Sequence, residues 1–414
     1  MAKERVELFL ARRISSSGEK RSGAMIGIAR ISVAISMAVM VVAIAVIGGF
    51  KEALGRELTG LDGHIKVEPS GSYYDLAGTP LRRNIDFEQA VAQMEHFASI
   101  APYASHSGIV RSTTAMQGAY LRGVGQGYDS LYFASKLIAG SLPRIGGAER
   151  KKDVLISKSL ADQLEVMVGD KIEYLFSSAE SPIRRDSYKV SGIYSTGLTS
   201  MELGLALTDI RNIQRINGWE EDMYSGYTIM ADELDNMAHL AGNVRAEAYL
   251  AGDDALWRTS DLRGRYPQIF DWLATHDING VVIVVIMIVV ALLNMITALL
   301  IIIFERIRMI GTLRALGMRG GQIQKVFLWC SLRVILVGQL WGNLLAGALL
   351  LIQHHTGIIG LDPEAYLISA VPVAFEWGWW LLLNVATPLI IAILLAIPVT
   401  ITSRIKPDQT LKYQ

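Results

Sequence analysis

Residues 31–50 read ISVAISMAVMVVAIAVIGGF and contain no charged side chain. At 1.5 Å per residue, a helix of this length crosses a hydrocarbon core of about 30 Å. Three similar stretches, residues 280–304, 334–352 and 377–401, follow only after the mostly polar residues 51–279. The sequence therefore predicts a membrane protein with four transmembrane α-helices in a 1+3 topology and a large domain between helices 1 and 2.

The composition agrees with a protein that is only partly embedded in a membrane. The 414 residues are 51% hydrophobic and carry no net charge, so a nucleic-acid partner is not indicated. The single cysteine, Cys330, lies in or beside the third span, so the polar domain can form no disulfide. No P-loop, H-E-x-x-H or G-x-S-x-G motif is present. We therefore predict no catalytic residue, no metal site and no cofactor in this chain.

Basic residues indicate the orientation in the membrane. They cluster before the first span, between spans two and three, and after span four, whereas residues 354–376 contain neither Lys nor Arg. By the positive-inside rule, both termini are cytoplasmic and the polar domain faces outward. The predicted segments are a cytoplasmic amphipathic helix or solvated tail at 1–25, spans at 26–50, 277–304, 326–353 and 377–403, the outer domain at 51–276, a cytoplasmic helix at 305–325, an outer loop at 354–376 and a tail at 404–414.

The outer domain has the patterns of an α+β fold. Alternation predicts strands, and apolar residues at helical spacing predict helices between them. One predicted helix has Asp86 as its N-cap and an apolar stripe from Phe87 to Phe97. The other predicted strands lie at 64–68, 153–157, 171–176, 188–194 and 224–230, and the other helices at 158–166, 208–216 and 233–248.

The cytoplasmic stretch at 305–325 reads ERIRMIGTLRALGMRGGQIQK. Ile310, Leu313 and Leu316 share one face of a short helix, and Gly317 is a natural C-cap. Such a helix suits docking into a groove on another protein, although a plain interfacial linker has the same composition.

This stretch resembles the coupling helix of MacB-type (type VII) ABC permeases. Five other segments resemble LolC/LolE-type lipoprotein-releasing permeases, and the resemblance extends over essentially the whole chain. They are FLARR at 9–13, IGGFKE at 47–52, GLDGHIKV at 60–67, ISKSLA at 156–161 with VGD at 168–170, and VSGIYSTG at 190–197. The resemblance assigns ATPase coupling to Glu305, Arg308, Ile310, Gly311, Leu313, Arg314, Leu316 and Gly317.

The resemblance implies a permease subunit of the bacterial inner membrane rather than an enzyme. A second permease subunit, identical or distinct, and two copies of a separate ATPase that binds ATP and magnesium would complete the transporter. ATP would drive a triacylated lipoprotein from the outer leaflet to a periplasmic carrier. Removing one acyl chain of about 15 CH₂ groups costs roughly 12 kcal/mol, so extraction needs an energy source. Two alternatives remain: a MacB-like mechanotransmitter in efflux, and an FtsX-like regulator of a cell-wall hydrolase.

Under the permease hypothesis, an apolar cavity lies between the outer half of span one and span two. Methionine suits varied acyl chains because its side chain adapts its shape, although lipid or helix contacts explain the same residues. The predicted lining is Met37, Met40, Val41, Ile44, Ile47, Val284, Met287 and Ala291.

Two further sites are predicted. The resemblance places a carrier-binding loop at residues 176–186, where Pro182 and Ile183 would form an exposed tip; an ordinary hairpin loop is the alternative. Gly338, Gly342 and Ala346 form a small-xxx-small row on span three, which is typical of close helix packing.

Overall fold

The chain divides into two compact units. The computed structural model describes residues 20–70, 79–125, 128, 130–147, 149–178, 181–197, 202–252, 256–305, 312, 316–362, 366, 368 and 370–402. The unit that we call the membrane unit comprises Met1–Glu52, Trp272–Gly360 and Ala370–Gln414, and the polar unit comprises Ala53–Asp271 and Leu361–Ser369.

Helices and strands are numbered in chain order over the described residues. The helices are α1 (Lys20–Asp62), α2 (Ile85–Ala92), α3 (Leu131–Ser135), α4 (Lys158–Leu164), α5 (Ile210–Asn217), α6 (Met237–Ala251), α7 (Leu262–Arg265), α8 (Pro267–Glu305), α9 (Gly320–Thr356) and α10 (Trp377–Thr402). The strands are β1 (Ile65–Pro69), β2 (Leu81–Arg82), β3 (Phe97–Arg111), β4 (Met116–Val124), β5 (Leu137–Gly140), β6 (Asp153–Ser157), β7 (Lys171–Ser178), β8 (Ser181–Tyr194), β9 (Leu205–Asp209), β10 (Met223–Tyr224), β11 (Gly226–Ala231) and β12 (Trp257–Asp261).

Long apolar helices correspond to the predicted spans. Among the described residues, three helices are long and apolar enough to cross a membrane: Gly27–Asp62, Pro267–Asn294 and Gly321–Thr356. The fourth predicted span coincides with α10. The apolar part of this helix, Trp377–Ile393, is shorter than the other three.

Helix α1 does not end near residue 50, where the first predicted span ends, but continues to Asp62. Beyond the apolar stretch, Leu54, Leu58 and Leu61 recur at helical spacing and are at most 4% exposed. Polar residues and glycines occupy the positions between them, including the charged Arg56 and Glu57, so the sequence changes from a uniformly apolar helix to an amphipathic one without interrupting the helix.

Small residues allow α9 to pack closely on α1. A Cβ atom added to Gly342 would lie 2.6 Å from the carbonyl oxygen of Ala34, and one added to Gly338 would lie 2.9 Å from that of Arg30. Ala346, one turn further along, is fully buried. The row of small residues on α9 therefore faces α1, as expected for close helix contacts in a membrane.

A polar network joins α9 and α10. Nε2 of Gln339 and Nδ2 of Asn343 donate to Oδ1 of Asn384 at 2.8 and 2.7 Å. Nε1 of Trp380 donates to Oδ1 of Asn343 at 2.9 Å. Side-chain hydrogen bonds of this kind hold helices together in apolar surroundings.

One mixed sheet organises the polar unit. Ten described strands pair in the order β12-β1-β11-β3-β4-β9-β6-β8-β5, and β7 pairs with both β3 and β8. The β4–β9 and β6–β8 pairs are parallel, and the other pairs are antiparallel. Two apolar cores lie against this sheet, one containing residues of α1, α2 and α6 and the other containing residues of α4 and α5.

The structure corrects one predicted helix. Asn84, not Asp86, is the N-cap of α2, because its Oδ1 accepts a hydrogen bond from the backbone N–H of Phe87 at 3.0 Å. Asp86 lies in the first turn, where a carboxylate is favourable to the helix dipole. Phe97, predicted to continue the helical stripe, is the first residue of β3.

Candidate transport and anchoring sites

The predicted cavity residues of α1 and α8 meet in the structure. Met37, Met40 and Val41 belong to one apolar cluster of the membrane unit, and Val284 and Met287 pack against that cluster. Ile44 also packs against this cluster. Ile47 faces Gly280, since its Cδ1 atom lies 2.5 Å from the position of an added Cβ there.

These residues form a packed contact rather than an open lining within one chain. Met37 and Met40 are at most 1% exposed, and the cavity beside Val41 and Ile44 has a volume of only about 20 Å³. Ala291 is buried in a different cluster, with Ala29 and Val33. Gly280 permits the close approach of Ile47. A uniformly apolar sequence pattern does not reveal which residues make such contacts.

The exposed apolar surface of α1 lies on another face of the helix. Ile28, Ile31, Ile35 and Val39 recur every three or four residues and are between 38% and 63% exposed. We call these four residues the α1 stripe. Of the three long apolar helices, α8 is the least covered, because only 11% of the residues in its most apolar stretch are buried. Surfaces this apolar must be covered by lipid, by another chain or by an apolar ligand.

We call residues 305–325 the coupling segment. The structure describes Glu305, Thr312 and residues 316–325 of it. Leu316 is 80% exposed, and Gly317 has a φ of +90°, a conformation that favours glycine. Glu305 is the last residue of α8. The other predicted coupling residues, Arg308, Ile310, Gly311, Leu313 and Arg314, lie outside the described residues.

The segment predicted as a carrier-binding loop is mostly paired strand. β7 and β8 pair from Lys171 opposite Lys189 to Ser178 opposite Ser181, with a register shift between Phe176 and Ser178, and Pro182 and Ile183 lie on β8 and not in the predicted loop. Ile183 is 76% exposed. Pairing with β7 extends β8 through most of this segment, so the exposed apolar side chain of Ile183 belongs to a strand.

A buried charge cluster lies at the end of α1, where the sequence analysis predicted no site. The carboxylate of Asp62 accepts hydrogen bonds from Nε of Arg265 at 2.9 Å and from the hydroxyl of Tyr266 at 3.1 Å, and it forms an ion pair with Lys66. Nη1 of Arg122 lies 3.6 Å from the same carboxylate. We call these five residues the Asp62 cluster. Four of them lie on α1, β1, β4 and α7, and Tyr266 lies between α7 and α8. Only the fold brings them together.

Neighbouring cations keep the carboxylate of Asp62 ionised. Burial alone would raise the pKa of Asp62, but Lys66, Arg265 and Arg122 lower it to about 2. Burial lowers the pKa of Lys66, and Asp62 opposes that effect. Burial, followed by the charge of Arg265, lowers the pKa of neighbouring His64 to about 4. His64 is therefore neutral at pH 7, and its Nδ1 accepts a hydrogen bond from the backbone N–H of Ala231 at 3.0 Å.

Side chains of Tyr132 and Lys136 also contact the last turns of α1. The hydroxyl of Tyr132 donates to Glu57 at 2.8 Å, and Lys136 forms an ion pair with the same carboxylate. A Cβ atom at Gly60 would lie 2.1 Å from the ring of Tyr132, so only glycine permits this approach. At Gly63, a φ of +72° lets the chain turn from α1 into β1.

The fold and these surfaces define a membrane permease subunit that carries a large domain after its first helix. Residues 27–247 match the family described as the MacB-like periplasmic core domain, and residues 281–407 match the FtsX-like permease C-terminal family. The chain belongs to the MacB-like periplasmic core domain family, whose match covers more than half of its length.

Curated relatives confirm the resemblance to LolC/LolE-type permeases. The Xylella fastidiosa (strain Temecula1 / ATCC 700964) protein named lipoprotein-releasing system transmembrane protein LolC is 22% identical over 405 residues, which cover 93% of this chain and 92% of that protein. The Haemophilus influenzae (strain ATCC 51907 / DSM 11121 / KW20 / Rd) protein named lipoprotein-releasing system transmembrane protein LolE is 20% identical over 421 residues, which cover 92% of each. The periplasmic region of MacB from Actinobacillus actinomycetemcomitans matches 51% of this chain and 95% of that chain, at 14% identity and a TM-score of 0.35.

Proposed function

We propose that this chain is the permease subunit of an ATP-driven transporter that extracts acylated lipoproteins from the outer leaflet of the inner membrane and passes them to a periplasmic carrier. The observation that carries the proposal is similarity over more than nine tenths of the chain to proteins named for lipoprotein release. In the proposed assembly, four spans of this chain pair with those of a second permease subunit, and two ATPase subunits bind the cytoplasmic segment that includes Leu316.

The uncovered apolar surfaces support a route for acyl chains. The α1 stripe and the exposed face of α8 would contact the second permease subunit and the acyl chains between the two subunits. Half-buried Ile44 and Ile47 would lie along this route, whereas Met37 and Met40 would keep α1 packed on its own chain.

The exposed hairpin supports a place for the carrier. Ile183 is an exposed apolar side chain on strand β8, so a partner can bind it without first ordering a flexible loop. A carrier of acyl chains must itself present an apolar opening, and an apolar residue beside it would exclude water during transfer.

The test is to purify the chain with its cognate ATPase in nanodiscs and to identify bound acylated protein by mass spectrometry. We expect triacylated lipoprotein to be bound without nucleotide and released with ATP, but not with a non-hydrolysable analogue. ATPase activity that depends on the permease, together with no acylated cargo in either state, would contradict the proposal. Copurification of an efflux duct would then favour the mechanotransmitter, and copurification of a hydrolase would favour the FtsX-like regulator.

A further inference from the structure

The Asp62 cluster closes the C-terminal end of a 43-residue helix with side chains from distant parts of the chain. Asp62 is the last residue of α1, and its ionic partners lie on β1, β4 and α7. The segment GLDGHIKV at 60–67, which the sequence analysis singled out, contains both Asp62 and Lys66.

Two of these cations, Arg265 and Arg122, also donate hydrogen bonds to backbone carbonyl groups at the helix end. Nη2 of Arg265 donates to the carbonyl oxygens of Asp62 and Gly63 at 3.2 and 2.6 Å, and Nη1 of Arg122 donates to that of Leu61 at 3.1 Å. The last carbonyl groups of a helix lack partners within the helix, and they carry the negative end of its dipole. Arg265 on α7 and Arg122 on β4 therefore neutralise this end and hold it in one position.

Stability alone does not require such a cluster. Buried ion pairs are often no more stabilising than well-packed apolar residues, although removing one partner costs several kcal/mol. What the cluster adds is geometry, because the fork of Arg265 can satisfy Asp62 and the carbonyl of Gly63 together in only one orientation. The pair of Glu57 with Lys136 and the contact of Gly60 with Tyr132 hold the preceding turns of the same helix.

We propose that the Asp62 cluster is a rigid joint through which movement of α1 during the ATP cycle reaches the sheet of the polar unit. Asp62 is then a positioning residue for transport and not a residue that contacts cargo. This inference rests on the proposed function for its ATP-driven movement of α1, but it requires no particular cargo.

The experiment compares wild type, Asp62→Asn and the double variant Asp62→Asn/Lys66→Met in the full complex with its ATPase in nanodiscs. The double variant also removes Lys66, one of the three cations that Asp62→Asn leaves without their counter-charge. For each we measure the ATPase rate, the lipoprotein released per ATP hydrolysed, and the ATP-dependent change in hydrogen exchange of the β1 amides. Arg263→Lys, an exposed neighbour of Arg265 on α7, is the matched control.

We expect both Asp62 variants to keep an ATPase rate within twofold of wild type, to lose at least tenfold in release per ATP, and to lose the ATP-dependent exchange change at β1. Arg263→Lys should match wild type in all three. A folded Asp62 variant with wild-type release and a wild-type exchange change would overturn the joint. If both variants unfold, Tyr266→Phe, which removes one hydrogen bond to Asp62, decides by the same readouts: a lowered release per ATP supports the joint, and an unchanged one overturns it. An exchange change that occurs in wild type without any lipoprotein release, and that the Asp62 variants lose, would instead contradict the proposed function and support the joint.

Discussion

Arg265 and Asp62 are 203 residues apart in the chain, yet Nε of Arg265 donates a hydrogen bond to Oδ2 of Asp62 at 2.9 Å. This contact joins the end of the first helix to the segment that precedes the second predicted span. Arg265 is held there by a further hydrogen bond from its Nη1 to the carbonyl oxygen of Ser260 at 2.7 Å.

Replacing Arg265 with lysine should destabilise the polar unit although the charge is kept. A lysine ammonium cannot donate at once to Asp62, Gly63 and Ser260, so buried acceptors lose their partners. We expect a loss of about 2 kcal/mol in the free energy of unfolding, measured by urea denaturation of the full chain in detergent. Arg263→Lys, on the exposed side of the same helix, should change it by less than about 0.5 kcal/mol. Equal effects of the two variants would contradict this reading.

His64 should make the polar unit sensitive to mild acid. Its pKa is lowered from 6.5 to about 4, first by burial and then by Arg265, while nearby Asp232 opposes the shift. Between these values the unfolded chain binds a proton that the folded chain does not bind. The stability that neutral His64 contributes is therefore complete above pH 6.5 and is lost as the pH falls toward 4, by about 3 kcal/mol in total.

Hydrogen exchange of the β11 amides in the full chain measures this effect of His64. In His64→Gln, whose amide oxygen can accept the same hydrogen bond from Ala231, protection should change little between pH 6.5 and 4. His239→Gln, at an exposed histidine of the same unit, should retain the wild-type profile. A His64→Gln profile identical to that of wild type would show that another group is responsible.

A methyl group at Gly342 should disrupt the contact between α9 and α1. The added Cβ would lie 2.6 Å from a backbone oxygen of Ala34, so one helix must move. Overpacking of this kind costs about 1–3 kcal/mol, and we expect Gly342→Ala to lower the melting temperature in detergent. Gly347→Ala lies on the same helix with no atom within 4 Å of its added Cβ, and it should be neutral. Two neutral variants would mean that α9 and α1 are not closely packed.

An acidic residue at the hairpin should weaken carrier binding without unfolding the chain. Ile183 is 76% exposed, so Ile183→Asp removes an apolar contact that is made only with a partner. We expect at least a tenfold loss in capture of the purified carrier, measured by biolayer interferometry. Met167→Asp changes an equally exposed apolar residue of the same unit and should have no effect. An equal loss in both variants would point to general surface hydrophobicity.

Leu316 provides a test of the coupling segment. It is 80% exposed, and its substitution by aspartate should reduce copurification of the ATPase at least tenfold because an apolar contact is replaced by a charge. Leu316→Met keeps the apolar surface and should copurify like wild type. Wild-type copurification of Leu316→Asp would place the ATPase contact elsewhere.

Sequence patterns predicted the helices and strands that depend mainly on residues close in sequence. The strand and helix at residues 153–166 are confirmed as β6 and α4, and Ser157 caps the helix by accepting a hydrogen bond from the N–H of Leu160 at 3.2 Å. The adjacent strand at 171–176 is confirmed within β7. Alternation and capping depend on neighbours in sequence, and so they can be read without a structure.

The long hairpin of β3 and β4 was not predicted. Small and polar residues interrupt the alternation of Phe97–Arg111, and this strand is stabilised by partners on three other strands. The sequence did not predict the hydrogen bond between Asn343 and Asn384. It also did not show that Met37 and Met40 are buried in a packed contact rather than lining a cavity, for a similar reason. An apolar helix looks the same on every side until its neighbours are known.

The sequence by itself determined that long apolar helices flank a large polar domain, since a bilayer requires about 20 uncharged residues per span. Its short segments also indicated the family. Only the tertiary structure decided that α1 ends at Asp62, and that Lys66, Arg122 and Arg265 meet there. Each of those residues, read alone, is an ordinary surface charge; burial in one cluster depends on pairing of distant strands, which no local pattern encodes.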